Sequence, residues 1–455
     1  MSGLELIKKA FVLQETERVP WVPFVGVHGA HLLKINAREY LQSADWMYKG
    51  VKASIEAYQP DGIPVAFDLQ IEAEALGCRL EWSDENPPAV VSHPLQEGKS
   101  IQDLEPFTRD SGRIPLVLET ARKIKAKYPD IALYGLITGP FTLALHLLGT
   151  DIFIRMMEDP EGTVEILNYC NQVATQMAEY YMESGCDVIA VVDPMTSQID
   201  PMSFETFIMP PVTELFEFIR SKNVLSSFFV CGYAQQNIEA MCNCRPDNIS
   251  IDENIPLDYV KEVTGGKGIS FGGNLKLTLV LLMGTPLECQ KHAWECMQTA
   301  GKIGFILAPG CDLPMNTPSE NLKAITELVH SEYQQKVVDE LQTDTATIEP
   351  ADLSEHWQAD KVVVDVITLD SSSCAPCQYM VEAVKHAADA AGTHVVWHEH
   401  SIKKKEGIQM MLALGIKSLP TIAIEGNAEF ISNIPPKNQL MEKIDGYWQK
   451  KQKQS

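Results

Sequence analysis

The chain has 455 residues, and a hydrophobic content of 45% is enough to fill more than one buried core. Its formal charge of -24, from 61 acidic against 37 basic side chains, repels nucleic-acid backbones and anionic lipid, so neither is an expected partner. No apolar run reaches the length of a membrane span and the first ten residues lack a signal-peptide core; with eleven cysteines mostly isolated inside apolar patterns, a reducing, cytoplasmic setting is expected.

Eight short apolar runs with strand character lie between residues 18 and 311: 19–25, 63–67, 131–137, 188–192, 226–230, 249–251, 268–271 and 304–307. Most are separated by segments of helical period. This alternation predicts an α/β fold, a (β/α)8 TIM barrel, over residues 1–335. Chemistry in that fold collects at the carboxyl ends of the strands. His28 and His31 follow the first run, Asp68, Glu72 and Glu74 the second, and Asp193 the fourth. Cys231 follows the fifth, Asp252 and Glu253 the sixth, Asn274 the seventh and Cys311 the eighth. Two cysteines and several carboxylates converging on one rim predict an active site, with Asp193 and Glu74 as catalytic candidates and His28 and Asn274 as cofactor contacts. Cys78, Cys170, Cys186, Cys289 and Cys296 read as small core hydrophobes, and Cys242 and Cys244 as structural.

A polar stretch at 336–358, containing Thr343-Asp-Thr345 and Glu349-Pro-Ala-Asp352, reads as a linker to a smaller α/β domain at 359–455. There an apolar run at 362–369 precedes Cys374-Ala-Pro-Cys377, a helical stretch at 378–391 and a second strand-like run at 394–398. Later, Ser418-Leu-Pro420-Thr421 leads into Ile422-Ala-Ile424. This order resembles the thioredoxin-like family. The resemblance implies that Cys374, at a helix N-terminus that favours its thiolate, attacks, that Cys377 resolves, and that Pro420 is a cis proline facing the dithiol. Ser371-Ser-Ser373 stands where the family has a tryptophan before the first cysteine. An inert pair and a structural zinc half-site are the competing readings; for the latter, His394, His398 and His400 lack the spacing of a second ligand pair.

Four strings carry a second resemblance: Asp68-Leu-Gln-Ile-Glu-Ala-Glu74-Ala-Leu-Gly77, Gly185-Cys-Asp187-Val-Ile-Ala-Val-Val-Asp193-Pro194, Val230-Cys231-Gly232 and Gly304-Phe-Ile-Leu-Ala-Pro-Gly-Cys311-Asp312. They look like the uroporphyrinogen decarboxylase superfamily and, within it, the corrinoid-dependent methyltransferase branch. That branch implies methyl transfer from methyl-cobalamin or a corrinoid protein to a small thiol held on zinc, which stabilises the thiolate. Cys231 and Cys311 take its two cysteine ligand positions. Phe229 stands where its histidine would be, leaving His28, Glu72, Glu74 or Asp193 as candidate third ligands for zinc. The decarboxylase proper carries an arginine-rich segment near its first strand; Val25-Gly-Val-His28-Gly-Ala-His31 has none, which disfavours a decarboxylase-type lyase. An Asp-x-His-x-x-Gly cobalamin signature is absent, so a corrinoid would arrive free or on a partner protein. The fused dithiol would then reduce an oxidised Cys231–Cys311 pair, present Cys374 as a reactant, or meet a thiol reductant. The alternative is a metal-free, redox-regulated protein that binds a corrinoid or tetrapyrrole.

Overall fold

The computed structural model describes residues 1–341, 350–354, 356–357, 360–372, 374–416 and 418–454. They fall into two compact units, Met1–Thr343 and Asp344–Ser455. The first residues of the expected linker at 336–358 are helical instead: Glu332–Glu340 is capped by Ser331, whose side chain accepts from the Gln334 N–H, and Val338 is buried. Residues 342–349, 355 and 358 of that expected linker lie outside those described.

The first unit is built on a curled parallel sheet of seven strands. These are β1 (Gly62–Pro64), β2 (Ala132–Thr138), β3 (Val188–Val192), β4 (Leu225–Val230), β5 (Asn248–Ile251), β6 (Ser270–Leu275) and β7 (Phe305–Pro309), hydrogen-bonded in sequence order. Helices between the strands cover the outer face, so both faces of the sheet are buried and the strands read as continuous apolar runs. Alternate residues face inward: Tyr134 and Leu136, Val188, Ala190 and Val192, Phe229, and Ile306 and Ala308 form one core with Phe24 and Phe67. The Phe229 ring lies 4.9 Å from Phe24 and 5.8 Å from Phe67.

The run at 19–25, expected as a first strand, is not one. Pro20 and Pro23 have no N–H to give to a ladder, and the segment makes a single bridge, Trp21 to Leu307. It nevertheless joins the two sheet edges. Val22 N–H donates to Leu307 O (3.0 Å) and Leu307 N–H to Pro20 O (2.9 Å), while Asp61 N–H, at the start of β1, donates to Trp21 O (2.9 Å). The Asp61 carboxylate fixes this seam by accepting from Trp21 N–H at 2.8 Å and from both terminal nitrogens of Arg18 at 2.6 and 2.7 Å. The result is a TIM-barrel-like fold with seven regular strands.

The second unit has four strands, β8 (Val362–Thr368), β9 (Val395–Ser401), β10 (Thr421–Ile424) and β11 (Asn427–Ile431), in the order β9-β8-β10-β11. β8 and β9 run parallel; β10 is antiparallel to β8 and β11 to β10. Helices Ala375–Ala391 and Lys405–Ala413 make the β8-to-β9 and β9-to-β10 connections, and Lys437–Gln454 follows β11. No described helix of the chain is long and apolar enough to cross a membrane.

Candidate functional site

β4 and β7 are three places apart in the sheet, so only its curl brings their carboxyl ends together. There Cys231 and Cys311 come beside one another, both as free, half-buried thiols resting on the aromatic core that contains Phe229. Gly310 permits the approach: a Cβ at that position would lie 2.6 Å from the backbone nitrogen of Glu253. Gly232, at a φ of 86°, turns the chain away after Cys231 and gives its N–H to the buried carboxyl of Asp252. The neighbouring Cys311, burial, and the nearby Asp252 and Asp312 push the Cys231 thiol well up, so it keeps its proton.

Two further carboxyls stand at this rim. Asp252 also accepts from the Asn254 N–H at 2.9 Å and from its side-chain amide, and burial raises it. Glu253 accepts from the Leu277 N–H; burial, then the charge of Asp252, pushes it up to about 8. The folded chain thus retains a proton that the unfolded chain releases near 4.5, so stability is fully present below that pH and falls as pH rises towards about 8. Glu253→Gln cannot ionise. Its melting temperature relative to the unsubstituted chain is expected to climb between about pH 5 and about pH 9, a gain on the order of a few kcal/mol. Parallel curves for the two proteins across that range would show that Glu253 is not held protonated.

The remaining expected site residues each have partners within the fold. Asp193, expected to be catalytic, is fully buried and accepts from Phe141 N–H (3.0 Å), Thr142 N–H (2.8 Å) and the Thr142 hydroxyl (2.6 Å), anchoring the start of helix Pro140–Leu148. Burial pushes it up to about 6. Both oxygens of Glu72 are taken by Thr138, from its N–H at 3.0 Å and its hydroxyl at 2.7 Å. Glu74 accepts from Nε of Arg113 at 2.6 Å, and the same guanidinium holds buried Asp68. Arg113 was not legible as a partner: it is 39 residues from Glu74, at the end of a long loop. His28, expected as a cofactor contact or zinc ligand, donates or accepts at both ring nitrogens, with Met315 O at 2.9 Å and the Tyr58 hydroxyl at 2.7 Å. Burial takes it down to about 4, leaving it neutral. Asn274 donates to Ile255 O at 2.8 Å, tying the β6 end to the neighbouring loop.

The donors present do not fit a zinc centre. Phe229, where the resemblance implies a histidine ligand, is fully buried, His28 and Glu72 are committed elsewhere, and Glu74 is paired with Arg113. Among the described residues no group of three or more His, Cys, Asp or Glu side chains is disposed to hold a metal ion.

In the second unit, Cys374 caps helix Ala375–Ala391, its sulfur accepting from Cys377 N–H at 3.3 Å. The two are disulfide-bonded with Cα atoms 5.2 Å apart; Cys374 is half-buried and Cys377 buried. The Leu419–Pro420 peptide is cis. His400 and His356 both bond the buried Asp365, at 2.8 and 2.9 Å, which gives them a task in the sheet.

Comparison with known proteins bears on the first unit. The family described as Uroporphyrinogen decarboxylase (URO-D) matches residues 3–332, so the second unit lies outside the match. The methylcobamide:CoM methyltransferase MtbA of Methanosarcina acetivorans is 24% identical over 330 residues, covering 71% of this chain and 96% of the relative. MtaA of Methanosarcina barkeri, also a methylcobamide:CoM methyltransferase, is 28% identical over 334 residues, covering 71% of this chain and 97% of its own length. A solved structure, a methyltransferase from Methanosarcina mazei, shares the fold with a TM-score of 0.67 at 24% identity, over 73% of this chain and 99% of the other. The family match spans the curled sheet and both strand ends that carry the thiol pair, and the chain belongs to the uroporphyrinogen decarboxylase family.

Proposed function

We propose that the first unit transfers a methyl group from a methyl-corrinoid to a small thiol at the rim where Cys231 and Cys311 meet. The observation that carries this reading is the thiol pair itself, at the ends of β4 and β7, in a chain whose methylcobamide:CoM methyltransferase relatives are matched over 96% and 97% of their length. In the reaction the acceptor sulfur attacks the methyl carbon, the carbon–cobalt bond pair leaves with cobalt, and the thiol proton passes to a base. Glu253, titrating near 8, is suited to take that proton, so the rate should rise with pH through that value. Cys231, which holds its own proton, donates its S–H to the acceptor sulfur as charge develops there, and Cys311 does the same beside it. No step needs zinc. The corrinoid is a substrate, brought free or on a partner protein.

Phe229 supports a second reading, a metal-free protein that binds a corrinoid without turning it over. Incubation with isotopically labelled methylcobalamin and 2-mercaptoethanol separates the two: labelled methyl thioether supports transfer, and retained methylcobalamin with no thioether supports the binder.

The second unit is read as a thioredoxin-like domain, supported by its β9-β8-β10-β11 order and the Cys374–Cys377 pair at a helix start. Its role is to return oxidised thiols to the reduced state. After reduction, alkylation at neutral pH is expected to label the half-buried Cys374 before the buried Cys377. The reverse order would argue against Cys374 as the attacking thiol.

A further inference from the structure

The thiol pair has a chemistry that methyl transfer does not use. Cys231 and Cys311 lie beside one another on the same core, both are half-buried and so reachable, and among the described residues no group of three or more His, Cys, Asp or Glu side chains is disposed to hold a metal there. Each lies beyond the last hydrogen-bonded residue of its strand and beside a glycine, Gly232 or Gly310, where the backbone can adjust to disulfide geometry. The other seven free cysteines are buried.

We propose, resting on the methyl-transfer reading, that Cys231 and Cys311 close into a reversible disulfide by exchange with the disulfide of a small acceptor thiol, switching transfer off when that acceptor is oxidised. One cysteine sulfur attacks RSSR, forming a mixed disulfide and releasing RSH. The other attacks the protein sulfur of that mixed disulfide, forming Cys231–Cys311 and releasing a second RSH. The pair loses two electrons and two protons, and RSSR gains them. Closure removes both S–H donors from the acceptor's place at once. Because two RSH are released per closure, the site responds to the square of the acceptor concentration against that of its disulfide.

The full chain is incubated with 2-mercaptoethanol and 2-hydroxyethyl disulfide at graded ratios, quenched, alkylated and digested, with methyl transfer to 2-mercaptoethanol measured in parallel. Peptides containing Cys231 and Cys311 are expected to become joined, two hydrogens lighter than their sum, as transfer is lost, with both changes reversed by excess thiol. In Cys231→Ser, Cys311 stops at the mixed disulfide. Two results overturn the switch: both cysteines staying alkylatable at ratios that oxidise Cys374–Cys377 in the same sample, or complete pairing with transfer undiminished. Absence of transfer by the fully reduced chain, read before any disulfide is added, overturns the methyl-transfer reading instead.

Discussion

Cys311→Ala is expected to lower kcat for methyl transfer by about a hundredfold, while Cys311→Ser stays within about tenfold of the unsubstituted chain. The contrast follows from the role proposed for the thiols. In the proposed reaction each donates a hydrogen bond to the acceptor, and a serine hydroxyl donates at least as well as a thiol. Alanine donates nothing and leaves a small gap above Phe229. If the cysteines instead held zinc as thiolates, serine would fail as completely as alanine, because a hydroxyl does not ionise to replace a thiolate ligand. The same pair of substitutions at Cys231 should behave alike. Denaturant unfolding of each variant separates lost chemistry from lost fold.

Arg113→Met is expected to destabilise the first unit by about 3–5 kcal/mol. Arg113 and Asp68 are both buried, and Trp82 lies against the guanidinium with its ring 4.9 Å away, shielding the pair from water. Methionine keeps much of the packing volume but leaves the Asp68 carboxylate buried with only its bond from the Gln70 N–H at 3.0 Å. Asp68→Asn in the same chain should recover part of the loss, since it removes the stranded charge. Hydrogen exchange of β1 and β2 peptides, read by mass spectrometry, reports the change within this unit. Protection equal to that of the unsubstituted chain would mean the pair is solvated.

The barrel was legible because seven of its eight expected runs are doubly buried strands, where continuous apolar sequence is what the sheet needs. The remaining one, at 19–25, carries the same apolar signal, but two prolines take its donors away. That Cys231 and Cys311 come together was legible for a geometric reason, since strand ends of a curled parallel sheet converge. The partners of the carboxylates were not legible, because following a strand does not say which way a side chain is engaged. Asp193 is captured by the helix that begins at Pro140, on the neighbouring strand's connection, and Arg113 comes from a loop with no pattern to announce it. In the second unit β11 was missed because its hairpin turns on Glu425-Gly426, both at positive φ, and a glutamate is an uncommon first residue for such a turn.

The most direct measurement is methyl transfer from methylcobalamin to 2-mercaptoethanol by the full chain after exhaustive chelation, with bound metal assayed in the same preparation. The expected result is methyl thioether formed in step with loss of methylcobalamin by protein that carries no stoichiometric metal. Transfer that vanishes on chelation and returns only with added zinc would contradict it.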